Sequence, residues 1–124
     1  MIYERNLTDH IIAAAIEVHR TLGPGLLEST YEECLCREFE LRTMRYERQK
    51  PLPLRYKGIQ IIPAYRMDIV VDKKVLLELK CVEAIAPVHE AQILTYLRLS
   101  GIKIGLILNF HVPLMKHGIK RFML

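Results

Sequence analysis

The sequence predicts an α/β domain, a mixed sheet flanked by helices, in the order α-α-β-β-β-α-β-β. Three observations carry this expectation. Up to Arg42 the apolar residues recur with helical spacing. From Arg45 to Lys80 the chain is rich in Ile, Val and Tyr and is punctuated by Pro, Gly and an Asp-Lys-Lys turn. A further helical stretch then separates that region from KIGLILN, whose middle is continuously apolar. With 124 residues and 51% hydrophobic content, residues 1–124 fit one domain able to build a real core.

Each element has a local reason. Thr8 or Asp9 suits the cap of a first helix running to about Leu22, with Ile12, Ile16 and His19 on its apolar stripe. Gly23-Pro24-Gly25 stops it. A second helix spans roughly Leu27 to Arg42, with Glu28, Tyr31 and Leu35 on one face. Pro51 and Pro53 rule out a central strand, so Arg45–Tyr56 reads as a bent edge strand. Gly58 turns the chain into the strand Ile59–Val71. Asp72-Lys73-Lys74 turns it again into Val75–Lys80. A third helix runs from about Val88 to Ser100, with Gly101 as its stop. Lys103–Asn109 fits a strand buried on both faces. Ile119–Met123, bearing Lys120 and Arg121, fits a final edge strand.

Composition excludes several classes. Cys34, Cys36 and Cys81 cannot complete a disulfide framework, and with no C-x-x-C a zinc or iron–sulfur centre within the chain is not expected. Reduced thiols, the absence of a signal pattern at Met1–Arg5, and the lack of any run long enough to span a bilayer together predict a cytoplasmic protein without membrane contact. A net charge of +4 permits a phosphate-bearing partner without demanding one.

The chemistry is expected around the second hairpin. Glu78 and Lys80 share a face of their strand, because side chains alternate. The hairpin brings Asp68 alongside. Two carboxylates and an ammonium between strongly apolar strands are costly in a core and useful around a hard cation such as Mg²⁺, which takes oxygen ligands and leaves positions for water and phosphate. Register supplies a check. Asp68 falls opposite Glu78 only if the loop has three residues, Asp72-Lys73-Lys74, or a bulge or splay has the same effect; a two-residue loop would send the carboxylates to different faces. Gln92 and Tyr96, at i and i+4 of the third helix, and Glu28, at the start of the second, are the further candidates.

These residues carry a resemblance. Gly25-Leu26-Leu27-Glu28-Ser29-Thr30-Tyr31, within VHRTLGPGLLESTYEE, resembles the signature of the small GxxExxY proteins of the PD-(D/E)xK nuclease superfamily. Asp68, Glu78 and Lys80 are similar to its catalytic positions, with Met67 where the motif's proline would stand. Gln92-Ile93-Leu94-Thr95-Tyr96 resembles the Q-x₃-Y helix of RecB-like exonucleases. The resemblance implies a restriction-endonuclease-like core and a Mg²⁺- or Mn²⁺-dependent nuclease acting on nucleic acid, DNA in preference to RNA. It implies metal ligation by Asp68, Glu78 and Glu28, with the Leu79 carbonyl and His19 as further ligands. Lys80 would orient water or phosphate, Gln92 would orient the substrate or a catalytic side chain, and Tyr31 and Tyr96 would support them.

Each assignment has a structural reading beside it. His19 on an apolar stripe equally suits a satisfied core histidine, and Glu28 a first-turn charge facing the helix dipole. Gln92 with Tyr96 equally suits a buried hydrogen-bonding pair. His89, three residues before Gln92, is within reach of a phosphate but is not expected to contact one; Arg66 reads as solvated surface, and Lys73 and Lys74 as the hairpin tip. The sequence shows no zinc finger, helix-turn-helix signature or aromatic platform. Substrate choice is therefore expected from a partner protein, a homodimer, or the shape and ends of the nucleic acid. The alternatives to a nuclease are a non-catalytic nucleic-acid- or protein-binding module that retains the fold, and a structural protein whose charges form a solvated hairpin face.

Overall fold

Turn chemistry and strand composition set the path of the chain. The computed structural model describes residues 5–124, apart from the side chains at 63 and 64. Residues 1–4, on which part of the signal-peptide reading falls, lie outside that range. The elements are α1 (Arg5–Leu22), α2 (Glu28–Leu41), β1 (Tyr46–Tyr56), β2 (Ile59–Val71), β3 (Val75–Lys80), α3 (Pro87–Ser100), β4 (Ile104–Asn109), a 3₁₀ turn (Met115–Gly118) and β5 (Ile119–Met123). The sheet has the order β1-β2-β3-β4-β5. The β3–β4 pair is parallel, joined through α3, and the other three pairs are antiparallel.

The sheet separates two cores. On one face α1 and α2 contribute Ile11, Ala14, Tyr31, Leu35 and Phe39, which pack on Ile69, Val71, Leu77, Leu79, Leu106 and Leu108. On the other, α3 sets Ile93, Tyr96 and Leu97 against Leu52, Met67, Val70, Leu76 and Ile107. Every residue of β4 is buried, as expected for a strand covered on both faces. Gly105 lies under α3, where an added Cβ would come within 2.9 Å of Ile93 Cδ1.

The edge strands are where the sequence places them. β1 is an edge, and its register against β2 shifts between Leu52 and Leu54, around Pro53, the kind of irregularity a residue without an N–H tolerates. The start of α1 is a correction. The helix begins at Arg5, so neither Thr8 nor Asp9 is its cap. Thr8 is buried, and its hydroxyl donates back to the Arg5 carbonyl at 3.0 Å, a local bond that a helix interior can satisfy.

One irregularity bears on the chemistry. Residues two apart in a regular strand share a face, yet Met67 packs in the α3 core and Ile69 in the α1/α2 core. The alternation slips at Asp68. Across the ladder, between the pairs Arg48–Ile69 and Lys50–Met67, stands Gln49 with φ +53°, a left-handed conformation uncommon outside glycine. The β2–β3 ladder stops at Ile69–Leu77, one pair short of Asp68 and Glu78.

Candidate active site

The loop between β2 and β3 has the three residues required, since Val71 pairs with Val75. Beyond Ile69 and Leu77 the backbones part, and side chains complete the pairing. The Asp68 N–H donates to Glu78 Oε2 at 3.0 Å, and the Leu79 N–H donates to Asp68 Oδ2 at 2.9 Å. Each carboxylate thus takes one backbone proton from the opposite strand. The second oxygen of each makes no hydrogen bond among the described residues.

Burial makes the pair expensive. Glu78 is 4% exposed. Desolvation, followed by the Asp68 charge, pushes its pKa up to about 8, against a backbone hydrogen bond and Lys80 acting downward. Asp68 is pushed to about 6, again first by desolvation, with Glu32 and Glu28 adding to the rise and the Leu79 N–H and Lys80 opposing it. A buried and a half-buried carboxylate with both pKa values raised call for a nearby cation.

The other candidates fall around this pair in two groups. Lys80 Nζ donates to Gln92 Oε1 at 3.3 Å, and Gln92 Nε2 donates to the Tyr96 hydroxyl at 3.2 Å. That chain fixes the ammonium of β3 against α3. The nearby charges of Glu78 and Asp68 help raise the Tyr96 pKa, after burial as the main cause. Glu28, in the first turn of α2, stands at the exposed rim. Partial desolvation raises its pKa and Lys80 pulls it back.

Tyr31 has a specific task. Its hydroxyl donates to the Gly23 carbonyl and accepts the Leu26 N–H, while its ring stacks on Phe110 at 4.5 Å. The loop so held carries Gly23 and Gly25 at φ +71° and +102° and leads directly into Glu28. The spacing from Gly25 to Tyr31 therefore describes a glycine turn, the acid it delivers, and the ring that ties the turn down.

His19 is tied to the segment after β4. Its Nε2 lies 2.7 Å from the Val112 carbonyl and its ring is buried beside Phe110; the core-histidine reading describes its place. His89 caps α3, its Nδ1 accepting the Ala86 N–H. Arg66 donates to the Gln49 carbonyl, and Lys73 and Lys74 sit on the exposed turn.

One residue escaped the sequence reading. Glu32 is buried and accepts Arg48 Nε at 2.6 Å and Gln49 Nε2 at 2.8 Å, and it is the largest charge contribution raising Asp68. Its spacing, i+4 from Glu28 on α2, was the available signal.

The donor set suits a hard cation. Among the described residues no three His, Cys, Asp or Glu side chains converge tightly enough to hold a metal by themselves. Mg²⁺ is ordinarily held by one or two carboxylates, with waters and substrate phosphate completing its octahedron, and Asp68 with Glu78 supplies that number.

Comparison with known proteins supplies a family. The family model of the PD-(D/E)XK nuclease superfamily matches residues 5–122. No curated protein and no solved structure matches the chain. No helix among the described residues is long and apolar enough to cross a membrane.

Proposed function

The chain belongs to the PD-(D/E)XK nuclease superfamily, and from that premise we propose that it hydrolyses phosphodiester bonds of nucleic acid, DNA in preference to RNA, with Mg²⁺ or Mn²⁺. The single observation that carries the reading is the reciprocal bonding of Asp68 and Glu78 at the mouth of the β2–β3 splay, beside Lys80. Asp68 and Glu78 would hold the cation, with the Leu79 carbonyl and Glu28 as further oxygen donors. Bound there, the cation would supply Lewis-acid activation of water and neutralise charge on the phosphate.

The side chains have separate tasks. Lys80 holds the scissile phosphate or the attacking water, and its ammonium is aimed by Gln92. Tyr96 fixes the rotamer of Gln92 from below. Tyr31 acts at a distance, by presenting Glu28. His19 is left out of the metal shell, because its Nε2 is engaged by Val112. Within the superfamily, the literal Gly25–Tyr31 stretch favours the GxxExxY group. The reading includes residues 1–124 as one domain of this class, working in a reducing, cytoplasmic setting in keeping with three free cysteines. Specificity beyond the phosphate would come from a partner or a second copy.

The test is hydrolysis of labelled single-stranded, duplex and branched DNA, with an RNA control, in Mg²⁺ or Mn²⁺. Wild type should cut, EDTA should abolish cutting, and Asp68→Asn should lower the rate by about a hundredfold or more, since metal activation is worth several kcal/mol. Calorimetric Mn²⁺ binding that is lost in Asp68→Ala, with no cutting of any substrate, would instead favour a binding module that keeps the fold.

A further inference from the structure

Next to Lys80 and Gln92 the surface opens into a groove of about 620 Å³ between α3 and the β1–β2 hairpin, within the rough range of small-ligand sites. Two tyrosine rings meet there, Tyr65 of β2 and Tyr96 of α3, with centroids 5.8 Å apart and tilted by 47°. Leu54 and Leu99 extend the apolar wall, while Gln92, His89 and Thr95 add polar groups. The His89 Nδ1 accepts the Ala86 N–H, so in the neutral ring Nε2 carries the proton and is a donor. Tyr65 is 49% exposed although Tyr96 beside it is buried, leaving much of one ring uncovered.

The sequence reading found no aromatic platform because these two tyrosines lie in different elements; the fold brings them together. We infer that this groove takes one unpaired nucleobase, stacked on Tyr65, while the adjoining phosphate lies at Lys80. The inference rests on the proposed nuclease reading for the phosphate and adds the substrate class: a single strand, gap or frayed end rather than intact duplex. Three features select a base over another occupant. The uncovered Tyr65 ring matches a planar heterocycle, the polar side chains match its hydrogen-bonding edge, and the Lys80 ammonium in the same lining suits the phosphate attached to it. A base within a duplex has both faces stacked and its edge paired, so it enters only when unpaired.

Binding, read apart from cleavage, tests this. Asp68→Asn serves as the background, so that the probe survives. Anisotropy of a fluorescein-labelled oligothymidylate and of a matched duplex is followed with Tyr65 intact, Tyr65→Phe and Tyr65→Ala. The expected result is a single-strand preference with Tyr65 intact, kept in Tyr65→Phe and weakened about tenfold in Tyr65→Ala, with duplex affinity unmoved. Thermal melts confirm folding, and the exposure of Tyr65 makes its truncation mild. Single-strand affinity unchanged in Tyr65→Ala overturns the inference, as does an equal loss for single strand and duplex. Cutting by wild-type protein without Tyr65 dependence sinks the base site alone. Tyr65-dependent binding with no cutting by wild type sinks the nuclease reading alone.

Discussion

At the scale of single residues, the Asp68–Glu78 pair sets the pH behaviour of the metal-free protein. In the unfolded chain the two carboxyls ionise near 3.8 and 4.5; folded, they hold their protons to about 6 and 8. The native state therefore binds more protons across this interval. The pair's contribution to stability is greatest below pH 4 and is lost as pH rises through 6 and then 8. Melting temperatures in EDTA should decline over that window, and Mn²⁺ added at pH 8 should reverse the decline. Glu78→Gln keeps an oxygen for the Asp68 N–H and removes the penalised charge, so at pH 8 without metal it should be more stable than wild type by on the order of 1 kcal/mol. A flat pH profile in EDTA would mean that the two carboxylates are better solvated than their burial indicates. The residue scale was also the most legible one. Asp68, Glu78 and Lys80 stood out because charge between apolar strands is costly, and Glu28 and Gln92 through their places on the two helices. His19 was readable only as ligand or core histidine, because an apolar stripe does not say which carbonyl lies across the fold.

At the scale of elements, the odd-numbered loop between β2 and β3 is set by parity and was readable in advance. The slip at Asp68 was not. It depends on Gln49, on another strand, adopting φ +53°, and on Glu32 of α2 holding both Gln49 and Arg48. No periodicity in β2 alone announces a kink imposed by its neighbours. The left-handed conformation at Gln49 gives a test. A β-branched residue resists positive φ and glycine does not, so Gln49→Val should be less stable than Gln49→Gly by roughly 1–2 kcal/mol. Both lose the hydrogen bond to Glu32, which makes glycine the proper control. Equal melting temperatures for the two would show that the strand reaches Asp68 without this kink. Of the helix starts, those of α2 and α3 fall within a residue of expectation, whereas α1 takes in the polar residues that resemble its cap, with the Thr8 hydroxyl bonded back to the Arg5 carbonyl.

At the scale of the molecule, the layering was legible because the apolar runs were long and separated, and a strand continuously apolar through its middle reads as central. What the sequence withheld was adjacency between distant segments, such as Tyr65 beside Tyr96 or Glu32 beside Gln49. The same layering divides labour along the chain. Glu28, Asp68, Glu78, Lys80, Gln92 and Tyr96 all precede Gly101, whereas β4, paired with β3 on one side and β5 on the other, contributes buried side chains and none of these groups. A cut after the exposed Gly101 would yield one fragment with the whole chemistry and no finished sheet, and a second with the finishing strands and no chemistry. Each alone should be inert toward metal and nucleic acid, and mixing them should restore Mn²⁺ binding that either fragment lacks. The short C-terminal segment is then a switch by complementation, through which the acidic site could be turned on from outside by adding a peptide that carries none of the site's proposed residues.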